Sequence, residues 1–323
     1  MKSKTLLSLF IIAITLLSCG SSDTIANQEI DKDLRSAIQF NNTALLNALS
    51  NSDQDALEEL GSERFNKFLH AKINNVVRPF RKGFLTPDFV VYDEYYTSHG
   101  SKNEYHTIEN PERDYTFSYN SHGKETYVSL LKCSYVEMDD YLITIIYSKE
   151  GDKWKVDDLE LGGLGMYGRT SNEFYAEAMK YKKKDMLLSA FYSIDAARGY
   201  AKPAGDLLKY NKEKEIDFYA KRWSEKAANK YHFPFMPDGI SSNPSIEEVT
   251  IIKNIKGVYP LIKYSTNIPV RNLTELKAEM EQVKIAVKKK YTDIDFNKGF
   301  VYYRAHHKSE NGQIDEYTFE EML

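Results

Sequence analysis

The sequence predicts an α+β fold in two parts, and three observations carry that reading. Apolar residues recur every three or four positions from about 31 to 73, the spacing of helices with one buried face. The period then drops to two in five runs between 89 and 161, separated by polar turns. Helical spacing returns near 170, and an α-β-β-α-β-β order occupies the rest of the chain. Helices followed by consecutive strands point to an antiparallel sheet, since a parallel one would alternate strand and helix. The expected architecture is helices followed by a curved antiparallel sheet, a helical hairpin bridge, then a second small α-β-β-α-β-β domain.

The elements follow in order. Leu34, Ile38, Leu45, Leu46 and Leu49 form one stripe of a helix over 31–51. A second helix is expected over 53–73, N-capped by Asp53, with Leu57, Leu60, Phe65, Phe68 and Leu69 inward. Strands are expected at 89–92, 115–119, 127–136, 141–147 and 154–161. Ser-His-Gly at 98–100 and 121–123, Asp139-Asp140 and Glu150-Gly-Asp152 supply the turns, the last two as hairpins. Phe174, Ala178, Tyr181 and then Met186, Leu187, Ala190, Ala196 and Ala197 mark a pair of helices that ends before Pro203. In the last region Ile216, Ala220, Trp223, Ala227 and Tyr231 share one helix face. Leu273, Leu276, Met280, Val283, Val287 and Tyr291 share another, and Asn272 with Glu275 forms a capping box.

Composition narrows the function classes. The chain has 323 residues and a formal charge of −4, and this mildly acidic, mixed balance argues against nucleic acid as a partner, which needs a clustered basic face. Aromatic residues make up 13%, with 24 Tyr, enough for a sizeable core. The chain has only two Cys, Cys19 and Cys133. Cys133 sits in a strand-like apolar run and is expected as a small core residue.

Residues 1–18 carry a charge–apolar–small pattern. Lys2 and Lys4 precede an apolar run from Leu6 to Leu17, too short to span a bilayer, and Ser18 stands directly before Cys19. This resembles the lipobox of bacterial lipoprotein signal peptides. The resemblance implies removal of residues 1–18 and attachment of acyl chains, palmitate among them, to Cys19. The membrane would then be a partner through those chains, and the protein would sit in the cell envelope. Gly20 after the cysteine agrees with outer-membrane sorting. Residues 19–30 are small and polar and read as a tether.

Tyr141-Leu-Ile-Thr-Ile-Ile-Tyr147, a charged turn, then Lys153-Trp154-Lys155-Val156-Asp157 resembles the closing hairpin of nuclear-transport-factor-2-like domains, the cystatin-like α+β cone superfamily. The resemblance implies such a domain over 31–168. The helical pair over 169–211 reads as a bridge, and 212–323 as a C-terminal α+β domain. That superfamily hosts enzymes, binders and structural modules alike, so function must come from a site.

Several motifs invite chemistry. Gly163-x-Gly165-x-x-Gly168 has dinucleotide-loop spacing, but the strand before it alternates charged and apolar residues, unlike a strand buried on both faces. A hinge between domains is expected there. Asp293-x-Asp295-x-Asn297 opens like a calcium loop, yet Lys298 and Arg304 occupy the positions that need Gly and Glu. His306 and His307 are neighbours in a strand and point to opposite faces. Lys182-Lys183-Lys184 reads as a solvated run. No catalytic residue, metal or cofactor is expected. Tyrosines on the first sheet remain, and Tyr119, Tyr135 and Tyr147 are the candidate lining of a ligand pocket, if they do not simply pack against the first helices. The expected role is a non-catalytic binding or interaction module with an envelope protein as partner. The alternative is an enzyme acting on a small molecule in the first domain's pocket. A buried acid or His beside an open pocket favours the enzyme, and a pocket filled by tyrosines favours the module.

Overall fold

The computed structural model describes residues 23–83, 85–134, 139–254, 256–297, 299–309 and 311–322. The fold is α+β, with a strongly curled antiparallel sheet. The chain forms two compact units. The first runs through Leu164 and regains Lys202–Lys209. The second comprises Gly165–Ala201 and Tyr210–Leu323.

In the first unit β1 (Asp23–Ala26) precedes α1 (Lys32–Asn51), α2 (Gln54–Leu60) and α3 (Glu63–Arg81). The Asp31 carboxylate accepts from the amides of Asp33 and Leu34, at 3.0 Å each, and so fixes the start of α1. Ile38, Leu45, Leu46 and Leu49 are buried on one face, each contributing about 1.5–3 kcal/mol relative to exposure. The single helix expected over 53–73 is two helices. Gly61 is extended and bridges Val156, and the Ser62 amide donates to Val156 O at 2.8 Å. Ser62 then caps α3 by accepting from the Phe65 amide. A local β contact thus breaks a continuous apolar period. β1 likewise lies inside the stretch 19–30 expected as a tether, paired antiparallel to β2 (Val90–Ser98).

The remaining strands are β3 (Tyr105–Asn110), β4 (Tyr115–Asn120), β5 (Glu125–Ser134), β6 (Asp139–Glu150), β7 (Lys153–Met166) and β8 (Arg169–Thr170). The main sheet has the order β1-β2-β5-β6-β7-β8. It is not a simple meander, because β3 and β4 leave it and pair with β9 (Leu208–Tyr210) in a second sheet. One face of the main sheet, with Tyr127, Leu131, Ile143, Ile145 and Tyr147, packs on α1 and α3. The other face turns to β4. Asp139-Asp140, expected as a turn, begins β6.

In the second unit α4 (Ser171–Lys183) and α5 (Leu187–Gly199) form the expected hairpin. It is not a separate bridge over 169–211, because α5 buries Leu188 in the same core as the following elements. Those are α6 (Glu213–Lys230), β10 (Ser245–Asn254), β11 (Gly257–Ser265), α7 (Leu273–Lys290), β12 (Phe300–Lys308) and β13 (Ile314–Met322). The sheet order is β10-β11-β12-β13. β11 and β12 are parallel, so the link between them must cross the sheet, and α7 is that crossover. Asn272 stands at the N-cap of α7, but its side chain makes no cap bond, so the expected capping box is absent.

Candidate functional site

Alternation along β6 sends Tyr147 into the helix-covered face of the main sheet. It is fully buried there, and its hydroxyl donates to Asn42 Oδ1 on α1 at 2.8 Å. The Asn42 amide donates in turn to Ser129 Oγ on β5 at 3.2 Å. A polar residue stands in the buried stripe of α1 because it serves this chain of bonds. Burial raises the Tyr147 phenol pKa far above its ordinary value. Tyr119 lies elsewhere. It is buried on β4, in the second sheet, with its ring 6.0 Å from His99 and 5.5 Å from His106. Burial pushes its phenol up to about 12. Tyr135 lies outside the described residues, as does Cys19. Tyr119 and Tyr147 therefore face different layers and line no common pocket. Of the expected lining residues, Tyr147 packs against α1 and Tyr119 against His99 and His106.

A second constellation was not read from the sequence. β2 gains one residue against β5 between Val91 and Asp93, so Tyr92 is a β-bulge. The extra residue reverses which face each later side chain takes. Asp93 turns to the second sheet, where Asp93 Oδ2 accepts from the Tyr115 hydroxyl at 2.7 Å and Arg113 Nε lies 3.0 Å away. Asn110 Nδ2 reaches the same oxygen, and Asn27 Nδ2 reaches Oδ1, both at 3.4 Å. The Tyr95 and Tyr115 hydroxyls meet at 2.7 Å. Burial first, then the Asp93 charge, drives the Tyr115 phenol far up. Glu94 turns to the helix side and accepts from the Tyr127 hydroxyl at 2.6 Å, with Arg35 Nη1 at 3.8 Å. The two acids edge an open cleft of about 330 Å³. Asp93 is 3% exposed and both its oxygens are occupied, which leaves it poorly placed to take a proton from a substrate. The signal in the sequence was the acid pair itself, set within an otherwise aromatic and apolar run.

A polar layer joins the two sheets above this network. The Thr24 hydroxyl meets His106 Nε2 at 2.9 Å and Thr97 Oγ1 at 3.0 Å. His99 Nε2 meets Thr126 Oγ1 at 3.0 Å. Burial lowers the pKa of both imidazoles, and for His99 the neighbouring His106 lowers it further. Neither Ser-His-Gly turn pairs its serine with its histidine. His122 Nε2 instead faces Asp157 at 4.0 Å, across a polar cleft of about 550 Å³. Asp157 accepts from Ser62 Oγ at 2.9 Å and pairs with Arg64, so the start of α3 already has its anion.

The other motifs resolve into structure. Cys133 is buried in the core of the first unit, and burial pushes its thiol up to about 12. Gly165 pairs with Thr170, and Tyr167 and Gly168, with φ of 52° and 70°, form the turn of the β7–β8 hairpin. A strand that doubles back there cannot present the loop of a dinucleotide site. Asp293 accepts from the Tyr231 hydroxyl and Asp295 from that of Tyr181, so the two carboxylates serve different partners. Lys298 lies outside the described residues. His306 faces Glu247 and His307 faces Thr266 O, as strand alternation requires. Among the described residues no group of His, Cys, Asp or Glu could hold a metal ion. A slot between α5 and β10–β11, walled by Ser189, Ser193 and Val249, encloses about 30 Å³, room for one or two waters.

No family model matches the sequence, no curated protein matches it, and no solved structure matches it.

Proposed function

We propose that this chain is a lipid-anchored protein of the cell envelope, held by acyl chains on Cys19, and acts as a non-catalytic binding or interaction module. One observation carries the second half of this reading: three buried tyrosine hydroxyls of the first unit are each bonded to a side chain inside the fold. Tyr147 is bonded to Asn42, Tyr127 to Glu94 and Tyr115 to Asp93. This reading puts the binding surface outside the sheet. An open groove of about 570 Å³ beside Phe40 and Trp154 offers apolar area of that kind.

The anchor rests on the residue order around Cys19. Among the described residues no helix is long and apolar enough to cross a membrane. β1 starts at Asp23, only four residues after Cys19. An extended chain of that length spans at most about 14 Å, so the β1 edge would be held close to the bilayer.

Intact mass of the protein from detergent-extracted membranes of its host, beside Cys19→Ala, tests the anchor. The expected mass is residues 19–323 plus acyl groups, lost in the variant. A cleaved, unacylated and soluble wild type would overturn the anchor and raise a diffusible binding or enzymatic role. A second reading, an enzyme on a small molecule, would place its substrate in the Asp93–Glu94 cleft of about 330 Å³, although the buried and fully bonded Asp93 carboxylate argues against it there. Its mark would be an Asp93→Asn variant of unchanged stability that no longer binds a small ligand retained by the wild type.

A further inference from the structure

Three lysines close α4, and helix C-termini favour cations, which accounts for Lys182, Lys183 and Lys184. The same argument does not cover Arg222 and Lys226, which stand inside α6 one turn apart. Like charges four residues apart repel, at a cost to the helix. Yet Lys182, Arg222 and Lys226 pair with no carboxylate among the described residues, in a chain with 47 acidic side chains. All three line one cleft of about 470 Å³, where Asp185 is the one acidic lining residue. Aromatic rings form part of the same wall. Tyr219 and Trp223 stack with centroids 5.0 Å apart, and Lys182 Nζ lies 4.4 Å over the Tyr219 ring and 3.2 Å from its hydroxyl. Phe218, 56% exposed, projects beside Arg222.

From this arrangement we infer that the cleft between the α4–α5 turn and α6 binds a phosphate group carried on an apolar or ring-bearing body. A guanidinium offers paired donors that match phosphate oxygens, and two ammonium groups supply further charge. The stacked rings supply a surface for the body of the ligand. Bound phosphate would offset the repulsion between Arg222 and Lys226. The ligand could be free in solution or the headgroup of a membrane lipid, whose surface Phe218 would enter. The site belongs to the second unit and stands whether or not Cys19 is acylated.

The test uses the full chain as Cys19→Ala, so that no acyl group contributes. One arm titrates inorganic phosphate and a soluble aryl phosphate by calorimetry. The other measures flotation with vesicles of phosphatidylglycerol against vesicles of phosphatidylcholine. Arg222→Gln with Lys226→Gln should weaken binding at least about tenfold while the melting temperature holds or rises. Lys214→Gln, also on α6 but outside the cleft lining, should leave binding unchanged. Binding of the soluble phosphates identifies a free ligand, and binding of phosphatidylglycerol vesicles alone identifies a headgroup. Absence of binding in both arms overturns the inference. So does an equal loss in Lys214→Gln, which would mark diffuse attraction to charge.

Discussion

The Tyr115 hydroxyl donates to Asp93 Oδ2 at 2.7 Å, and the bond exists because one extra residue in β2 turns Asp93 toward the second sheet. Without the bulge at Tyr92, Asp93 would take the helix-covered face and Glu94 the opposite one. Each acid would lose its tyrosine. The network around Asp93 draws on β1's following turn through Asn27, on β2, and on the β3–β4 hairpin through Asn110 and Tyr115. It therefore ties the two sheets of the first unit together at one point.

Tyr115→Phe should destabilise the first unit by about 1–3 kcal/mol, because it leaves a buried carboxylate short of a donor. Asp93→Asn should cost a similar amount, and the double variant less than the sum of the two. Urea unfolding of the four proteins gives the coupling. Additive losses would mean that the two groups do not share a bond in solution.

Tyr147 and Asn42 make the same kind of claim for the helix side. Tyr147→Phe should cost about 1–2 kcal/mol, since Asn42 loses its hydroxyl donor while staying buried. Replacing both, as Tyr147→Phe with Asn42→Leu, should recover part of that loss by removing both polar ends. An unchanged midpoint in Tyr147→Phe would show a hydroxyl free to serve a ligand, and would restore the pocket that the fold argues against.

Periodicity made most elements legible, because burial sets it: the stripes of α1, α6 and α7 and the short apolar runs of β5, β6 and β12 were readable directly. What failed were features set by contacts distant in sequence. Gly61 ends α2 only because Val156 is there to pair with. β1 is a strand only because β2 offers an edge. The Tyr92 bulge, which decides where Asp93 and Glu94 point, leaves no trace in a period-two pattern that ends at Tyr92. The candidate tyrosines failed for the same reason. Alternation gives the face of a residue within its strand, but not which strands leave the sheet, and β4 does.

Gly165 separates the hairpin reading of the glycine run from a nucleotide loop. A Cβ there would lie 2.1 Å from Arg169 O, backbone that cannot give way without opening the β7–β8 turn. Gly165→Ala should therefore lower the melting temperature clearly. Gly199→Ala, with open space around it at the end of α5, should be neutral or stabilising by up to about 1 kcal/mol. A Gly165→Ala protein of wild-type stability would remove the tight-turn account.

Glu279 on α7 is 2% exposed, and neither of its oxygens has a hydrogen-bond partner. The Tyr264 hydroxyl is also unpartnered, and burial together with the Glu279 charge raises its phenol pKa. An unsatisfied buried acid costs stability, so Glu279→Met, of similar length, should stabilise the second unit by about 1–3 kcal/mol. Chemical unfolding monitored on the second unit decides it. A destabilised variant would mean that the carboxylate holds a partner, a water or an ion, that earns its burial.

The paired imidazoles predict how acid acts on the first unit. His99 faces His106 on β3, Tyr119 on β4, Thr126 on β5 and Glu104 in the preceding loop. Burial holds both histidines below their ordinary value of 6.5 in the fold. The unfolded chain therefore binds these protons first as pH falls. Their contribution to stability is complete above about 6.5 and is lost as pH drops from there through the folded-state values. The wild-type melting temperature should fall between about pH 7 and about pH 5, before most carboxylates titrate. In His99→Gln with His106→Gln that part of the profile should flatten, even if the variant is less stable throughout. Equal slopes in the two proteins would place the acid sensitivity in other groups and leave the imidazoles as packing alone.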